Sequence, residues 1–103
     1  MIHYIEHQEA KKMMEERSDV IILDVRETDE YALLHIPGSI LLPLSQLASS
    51  DIENRWSKST CFLIYCRSGR RSKQAAQWLE DKGFENLYEF GGILDWPYET
   101  TKQ

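Results

Sequence analysis

The chain has 103 residues, 42% hydrophobic and 28% charged, enough for one domain with one core and too few for two. Twelve basic residues against 17 acidic ones leave a net charge of −5, which argues against a general binder of nucleic acid or membrane surfaces. No stretch approaches the roughly 18 apolar residues of a membrane span, and the opening MIHYIEHQEAKK is neither a signal nor a transit sequence, so the expected location is cytoplasmic.

In chain order, Ile2 to Ile5 reads as a short edge strand. Gln8 to Arg17 reads as a helix, with Ala10, Met13 and Met14 on one side. Val20 to Val25 is β-branched and continuously apolar, the pattern of a strand covered on both faces. Thr28 is placed to cap a short helix over Asp29 to Leu34, with acids in its first turn. His35-Ile36-Pro37-Gly38 is a turn, and Ser39 to Leu42 a short strand closed by Pro43. Ser45 is placed to cap a brief helix over Gln46 to Ala48. Residues 49–60 read as a polar loop with a helical turn, anchored by Trp56. Cys61 to Tyr65 is the central strand, followed by a polar loop and a helix over residues 72–82. Asn86 to Phe90 is the fifth strand; Gly91-Gly92 then permits a sharp turn before a helical turn at Ile93 to Trp96.

Strands alternating with helices predict an α/β fold: a central, mostly parallel five-stranded sheet with helices on both faces, in a single domain over residues 1–103. In such sheets a ligand sits beyond the carboxyl ends of the strands. Asp24, Arg26 and Cys66 all fall at such ends. Asp24 and Arg26 read as a structural ion pair supporting the loop. His35 reads as a turn and packing residue, His3 and His7 as surface residues, and Tyr88, Phe90 and Trp96 as core.

The stretch Phe62 to Ser72, FLIYCRSGRRS, carries the chemistry. Four strand residues lead to Cys66, then to a loop dense in donors: Arg67, Ser68, Gly69, Arg70, Arg71 and Ser72. Strand, tight loop and helix start aim backbone N–H groups and the positive helix end at one point. A thiol there should ionise below its free pKa of about 8.5, and an exposed position is expected in so cationic a loop. Four basic residues fall within 67–73 with no acid, a local spot suited to a small anion. Cys61 and Cys66 bracket the strand, so an extended chain holds them about 16 Å apart on opposite faces, and they should not form a disulfide. Their spacing fits no zinc site.

Three ordered signatures resemble those of single-domain rhodaneses. DVRETDEYALLHIPGSILLP, residues 24–43, is similar to that family's D-V-R…E-[FY]…H-I-x-G segment. YCRSGRRS, residues 65–72, is similar to its C-R-x-G-x-R loop, and YEFGGILDW, residues 88–96, to its closing G-G-x-x-x-W. Leu34 and Leu42 depart from the glycine and asparagine common there. The resemblance implies a rhodanese-like fold and sulfur transfer without a cofactor or metal. Cys66 would take a sulfane sulfur from a small anionic donor, thiosulfate or polysulfide, as a persulfide. It would pass it to cyanide or a thiol, a protein thiol included. Backbone amides of Arg67 to Ser72 would hold the anion; Gly69 lets the loop curl, Arg70 or Arg71 meets the donor, Arg67 braces the loop, and Ser68 and Ser72 donate hydroxyls, Ser72 with a second reading as helix cap. Two alternatives stand beside this reading. One is a cysteine phosphatase, although Ser72 occupies the place where a C-x5-R loop needs arginine. The other is a non-catalytic rhodanese-like binding module, which commonly lacks the cysteine.

Overall fold

The computed structural model describes residues 1–102. Five strands, β1 (Ile2–Tyr4), β2 (Val20–Asp24), β3 (Ile40–Leu41), β4 (Cys61–Cys66) and β5 (Asn86–Gly92), form one sheet in the order β1-β5-β4-β2-β3. All four pairings are parallel. All six residues of β4 are buried, whereas β1 lies at an edge. That difference explains why β4 reads as an unbroken apolar run, since a central parallel strand is covered on both faces.

Side-chain alternation along the strands divides the core in two. On one face Leu23, Val25, Phe62, Ile64 and Cys66 pack against Ala75, Ala76 and Leu79 of helix α4 (Arg70–Asp81). On the other, Leu63, Tyr65 and Phe90 pack with Ala10 of helix α1 (His7–Glu16), Ile36 and Trp96. The small side chains of Ala75 and Ala76 let α4 lie close to the sheet. That helix ends where Gly83 takes φ +94. Its N–H bonds the carbonyl of Glu80 and the N–H of Phe84 bonds that of Leu79, so the last carbonyls are satisfied and Phe84 is turned onto Leu79 in the core.

Several boundaries differ from those the local pattern predicts. Helix α4 begins at Arg70, not Ser72, because Gly69 at φ +106 makes the turn into it. Ser72 is therefore the third helical residue and not a cap. Helix α2 (Thr28–Leu33) starts one residue early, with Glu27 flanking it in place of Thr28; the Glu30 carboxylate accepts the Glu27 N–H at 2.9 Å. Ser45 caps nothing: Pro43 flanks the 3-10 helix Leu44–Ser49, and the Ser45 hydroxyl donates to Glu27. The loop 49–60 contains the short helix α3 (Ile52–Arg55). Strand β5 runs on through Gly91 and Gly92, and the 3-10 turn Ile93–Asp95 follows. His7 is half-buried, edge-on to Phe90 and Trp96. Among the described residues, no helix is long and apolar enough to cross a membrane.

From β4 the chain crosses to β5 on one side, and from β2 it crosses to β3 on the other. The carboxyl ends of β4 and β2 thus flank the point where the winding reverses, where open parallel sheets leave a crevice. Cys66 ends β4 and Asp24 ends β2.

Candidate active site

Cys66 is 1% exposed, against the expectation of an open thiol. The basic residues do not hold it at the surface, because the side chains of Arg67 and Arg70 turn outward while the backbone closes over the sulfur. The backbone N–H of Gly69 donates to Cys66 Sγ at 3.0 Å, and Ser72 Oγ lies 3.4 Å from it. Burial pushes this thiol up, but the Ser72 hydroxyl and the amides of Ser72, Gly69 and Ser68 outweigh it and hold the thiol below its ordinary value. Cys61 shows what burial does without such a cradle. Its thiol is pushed up by burial, and the nearby Arg17 offsets only part of the effect. Both cysteines are free.

The cradle depends on a close backbone approach. A register shift inserts an extra residue in β5, so that Ile64 pairs with Glu89 but Cys66 pairs with Gly92. Gly92 then lies under the loop: a Cβ built there would sit 1.9 Å from the Arg67 carbonyl oxygen. The same carbonyl accepts the Leu94 N–H at 3.1 Å. Arg67 thus braces the loop through its backbone, and only glycine fits opposite it.

The three arginines are not equivalent. Arg71 is held by Glu30 of α2 in contacts of 2.6 and 2.9 Å. Arg70 is exposed and, among the described residues, forms no ion pair. Arg67 is exposed at a cleft of about 320 Å³ shared with Glu30, Leu33, Leu34, Ile93 and Leu94. Ser68 is exposed and Gly69 buried at the crest of the loop. Arg26 caps the neighbouring strand end, bonding Asp24 Oδ2 at 2.7 Å and the Leu34 carbonyl at 2.6 Å. Asp24 and Arg26 are both buried, and they brace the segment that carries α2 instead of touching the sulfur. His35 stacks on Tyr31 at 3.7 Å and its Nδ1 bonds the Tyr31 carbonyl.

One residue of the site was passed over in the sequence. Glu89 of β5 is 3% exposed, and its Oε2 accepts both the Ser72 hydroxyl and the Gly91 N–H. The available signal was its parity: Glu89 shares the inward face of β5 with Leu87, where a carboxylate needs a partner. Among the described residues no three His, Cys, Asp or Glu side chains gather to hold a metal ion.

Residues 6–98 match the family described as Rhodanese-like domain. Thiosulfate sulfurtransferase GlpE of Coxiella burnetii is 33% identical over 97 residues, which cover 93% of this chain and 88% of that one. The protein YrkF of Bacillus subtilis is 34% identical over 91 residues, 87% of this chain; the chain spans about half, 48%, of that relative. Among solved structures, a rhodanese-like domain protein from Staphylococcus aureus superimposes with a TM-score of 0.85 at 29% identity, over 98% of each chain. The structure of rhodanese with anions from E. coli superimposes with a TM-score of 0.73 at 28% identity, over 82% of this chain and 99% of that one.

Proposed function

The chain belongs to the rhodanese-like domain family, and on that footing we propose that it is a sulfurtransferase working through a persulfide on Cys66. The observation that carries this reading is the Gly69 N–H donated to a buried Sγ at 3.0 Å, with the Ser72 hydroxyl beside it. Fixed donors around a sulfur favour its anion and hold a nucleophile ready.

In the first step the Cys66 thiolate attacks the outer sulfur of thiosulfate. A sulfur–sulfur bond forms at Cys66, the donor's bond breaks, and sulfite leaves with the electron pair. With polysulfide the leaving group is the shortened chain. In the second step a thiolate or cyanide attacks the outer sulfur of the persulfide, and the Cys66 thiolate departs. Splitting the transfer this way requires one group that is both a good nucleophile and a good leaving group. Of the two arginines suited to meet the anionic donor, Arg71 is held by Glu30, and we assign that role to Arg70, exposed at the first turn of α4. The relatives named thiosulfate sulfurtransferase support the choice of donor.

A phosphatase reading finds no support in the loop. Ser72 stands where the phosphate-binding arginine of a C-x5-R loop is needed, and Arg71, one residue earlier, is engaged by Glu30.

The test is intact mass after treatment with thiosulfate or polysulfide. The protein should gain about one sulfur atom, lose it to cyanide, and gain none as Cys66→Ser. No adduct, or one that persists in Cys66→Ser, removes the proposal.

A further inference from the structure

Ser72 stands between two groups that compete for one proton. Its Oγ lies 3.4 Å from Cys66 Sγ and 2.5 Å from Glu89 Oε2, the latter within the range of about 2.5–2.7 Å usual for a hydroxyl on a charged oxygen. The other atoms around it, the carbonyl oxygens of Gly69 and Gly91 at 3.1 and 3.3 Å, only accept. Glu89 is buried and, among the described residues, has no arginine or lysine within ion-pair distance. An ionised Glu89 and an ionised Cys66 would be like charges sharing one hydroxyl in a desolvated site. Two like charges so placed repel each other, and a proton held between them relieves that repulsion.

We propose that Glu89 accepts the proton of Cys66 through Ser72. The Sγ–H bond breaks as its proton passes to Ser72 Oγ, and the hydrogen already on that oxygen passes to Glu89 Oε2. A thiol, a hydroxyl and a carboxylate become a thiolate, a hydroxyl and a neutral carboxyl, with net charge unchanged and no co-reactant. Ser72 Oγ then receives a hydrogen bond from the Glu89 hydroxyl and turns its own hydrogen to the thiolate. The transfer that ionises the sulfur therefore also provides a donor to hold it. Glu89 never touches the sulfur; it is a positioning residue acting through Ser72.

A second observation gives the proton a way out. Glu89 lines a cleft of about 350 Å³ on the β1 side of the loop, apart from the cleft beside Arg67. Tyr4, Glu6, His7, Lys73 and Asp95 are the titratable groups that share it. A Cβ built on Gly69 would lie 3.6 Å from Lys73 Nζ and 3.8 Å from Glu89 Oε2, so Lys73 of α4 and the carboxylate both approach that point of the loop. Beside the loop Arg71 pairs with Glu30 and Arg26 with Asp24, while Arg67 and Arg70 lie exposed on it with no ion pair among the described residues. Cys66 is 1% exposed, and the hydroxyl–carboxylate path gives its proton a second route to water.

This proposal rests on the nucleophilic role given to Cys66, but its test needs no sulfur donor. In a Cys61→Ser background, the rate of Cys66 alkylation by iodoacetamide is followed from about pH 4 to 10, the span of carboxyl and thiol titration. The parent should show two ionisations separated by more than about one unit, as coupled groups do. Glu89→Gln should show one. If Glu89→Gln fails to fold, Glu89→Leu, which buries no polar group, carries the same comparison. Infrared difference spectra add a direct readout: alkylation of Cys66 near pH 7 should abolish a protonated-carboxyl band that Glu89→Gln lacks from the start. An unchanged profile in the folded Glu89 variant, or no such band in the parent, overturns the relay. Failure of sulfur loading alongside a two-step profile would instead count against the sulfurtransferase reading alone.

Discussion

Arg71 and Glu30 meet in a two-contact ion pair across 41 residues of sequence, at 2.6 and 2.9 Å. The pair ties α2 to the first turn of α4 and neutralises a charge beside the cradle. Arg71 is therefore a tether, and Arg70, which forms no ion pair among the described residues, is the cation we propose receives the anion. We predict that Arg70→Ala raises KM for thiosulfate about tenfold, the effect of losing one charged hydrogen bond of about 1.4 kcal/mol. Polysulfide should be affected much less. Arg71→Ala should impair both donors alike, by loosening the loop. Steady-state kinetics with the two donors checks this; a donor-selective loss confined to Arg71→Ala would reverse the assignment.

The same pair makes a prediction in acid. Arg71, by hydrogen bond and charge, holds the Glu30 carboxyl down at about 2, against a partial opposing effect of burial. The folded-state value lies below the unfolded one, so the pair's contribution is fully present above about pH 4.5 and is lost as pH falls toward 2. Both side chains are partly exposed, which limits that contribution to the order of 1 kcal/mol. Urea unfolding of Arg71→Ala should therefore show a shallower loss of stability between about pH 4.5 and 2 than the parent. Parallel curves would mean that the ion pair contributes nothing in solution.

Gly92 should tolerate no side chain. With the Arg67 carbonyl 1.9 Å from where a Cβ would stand, Gly92→Ala must push the loop off the sheet and turn the Gly69 N–H away from the sulfur. The expected result is loss of sulfur loading together with a destabilisation of about 2–3 kcal/mol, typical of forced strain at a packed position. Loading and melting temperature both like the parent's would show that the loop does not need this approach.

The two cysteines should differ in reactivity although both are buried. Near pH 7 an alkylating reagent should modify Cys66 well before Cys61, whose thiol burial pushes up. Cys61→Ser should load sulfur as the parent does. Peptide mapping after brief alkylation reads the order; preferential labelling of Cys61 would mean that the cradle does not activate Cys66.

Replacing Asp24 should cost more than breaking the Arg71 tether. Asp24 and Arg26 are both buried, and Asp24→Asn leaves the guanidinium without its counter-charge. A loss of about 3–5 kcal/mol is expected from an unpaired buried charge, read from the denaturant midpoint. A loss under 1 kcal/mol would indicate that Arg26 finds another partner.

What the residues determined by themselves was whatever local pattern controls. The apolar runs of β2 and β4, the small residues of α4 and the glycines between elements specify an alternating α/β chain with Cys66 at a strand end. Each of those features acts over a few residues through side-chain period and backbone freedom. Only the tertiary structure decided which groups converge on the sulfur. It gave Arg71 to Glu30, decided between the two readings of Ser72 by setting its hydroxyl beside the sulfur, and put Glu89 behind it. It also closed the loop over a thiol that its composition suggested was open. Those outcomes depend on how α2, α4 and β5 pack against one another, and a hydrogen bond between distant elements leaves no period in the chain.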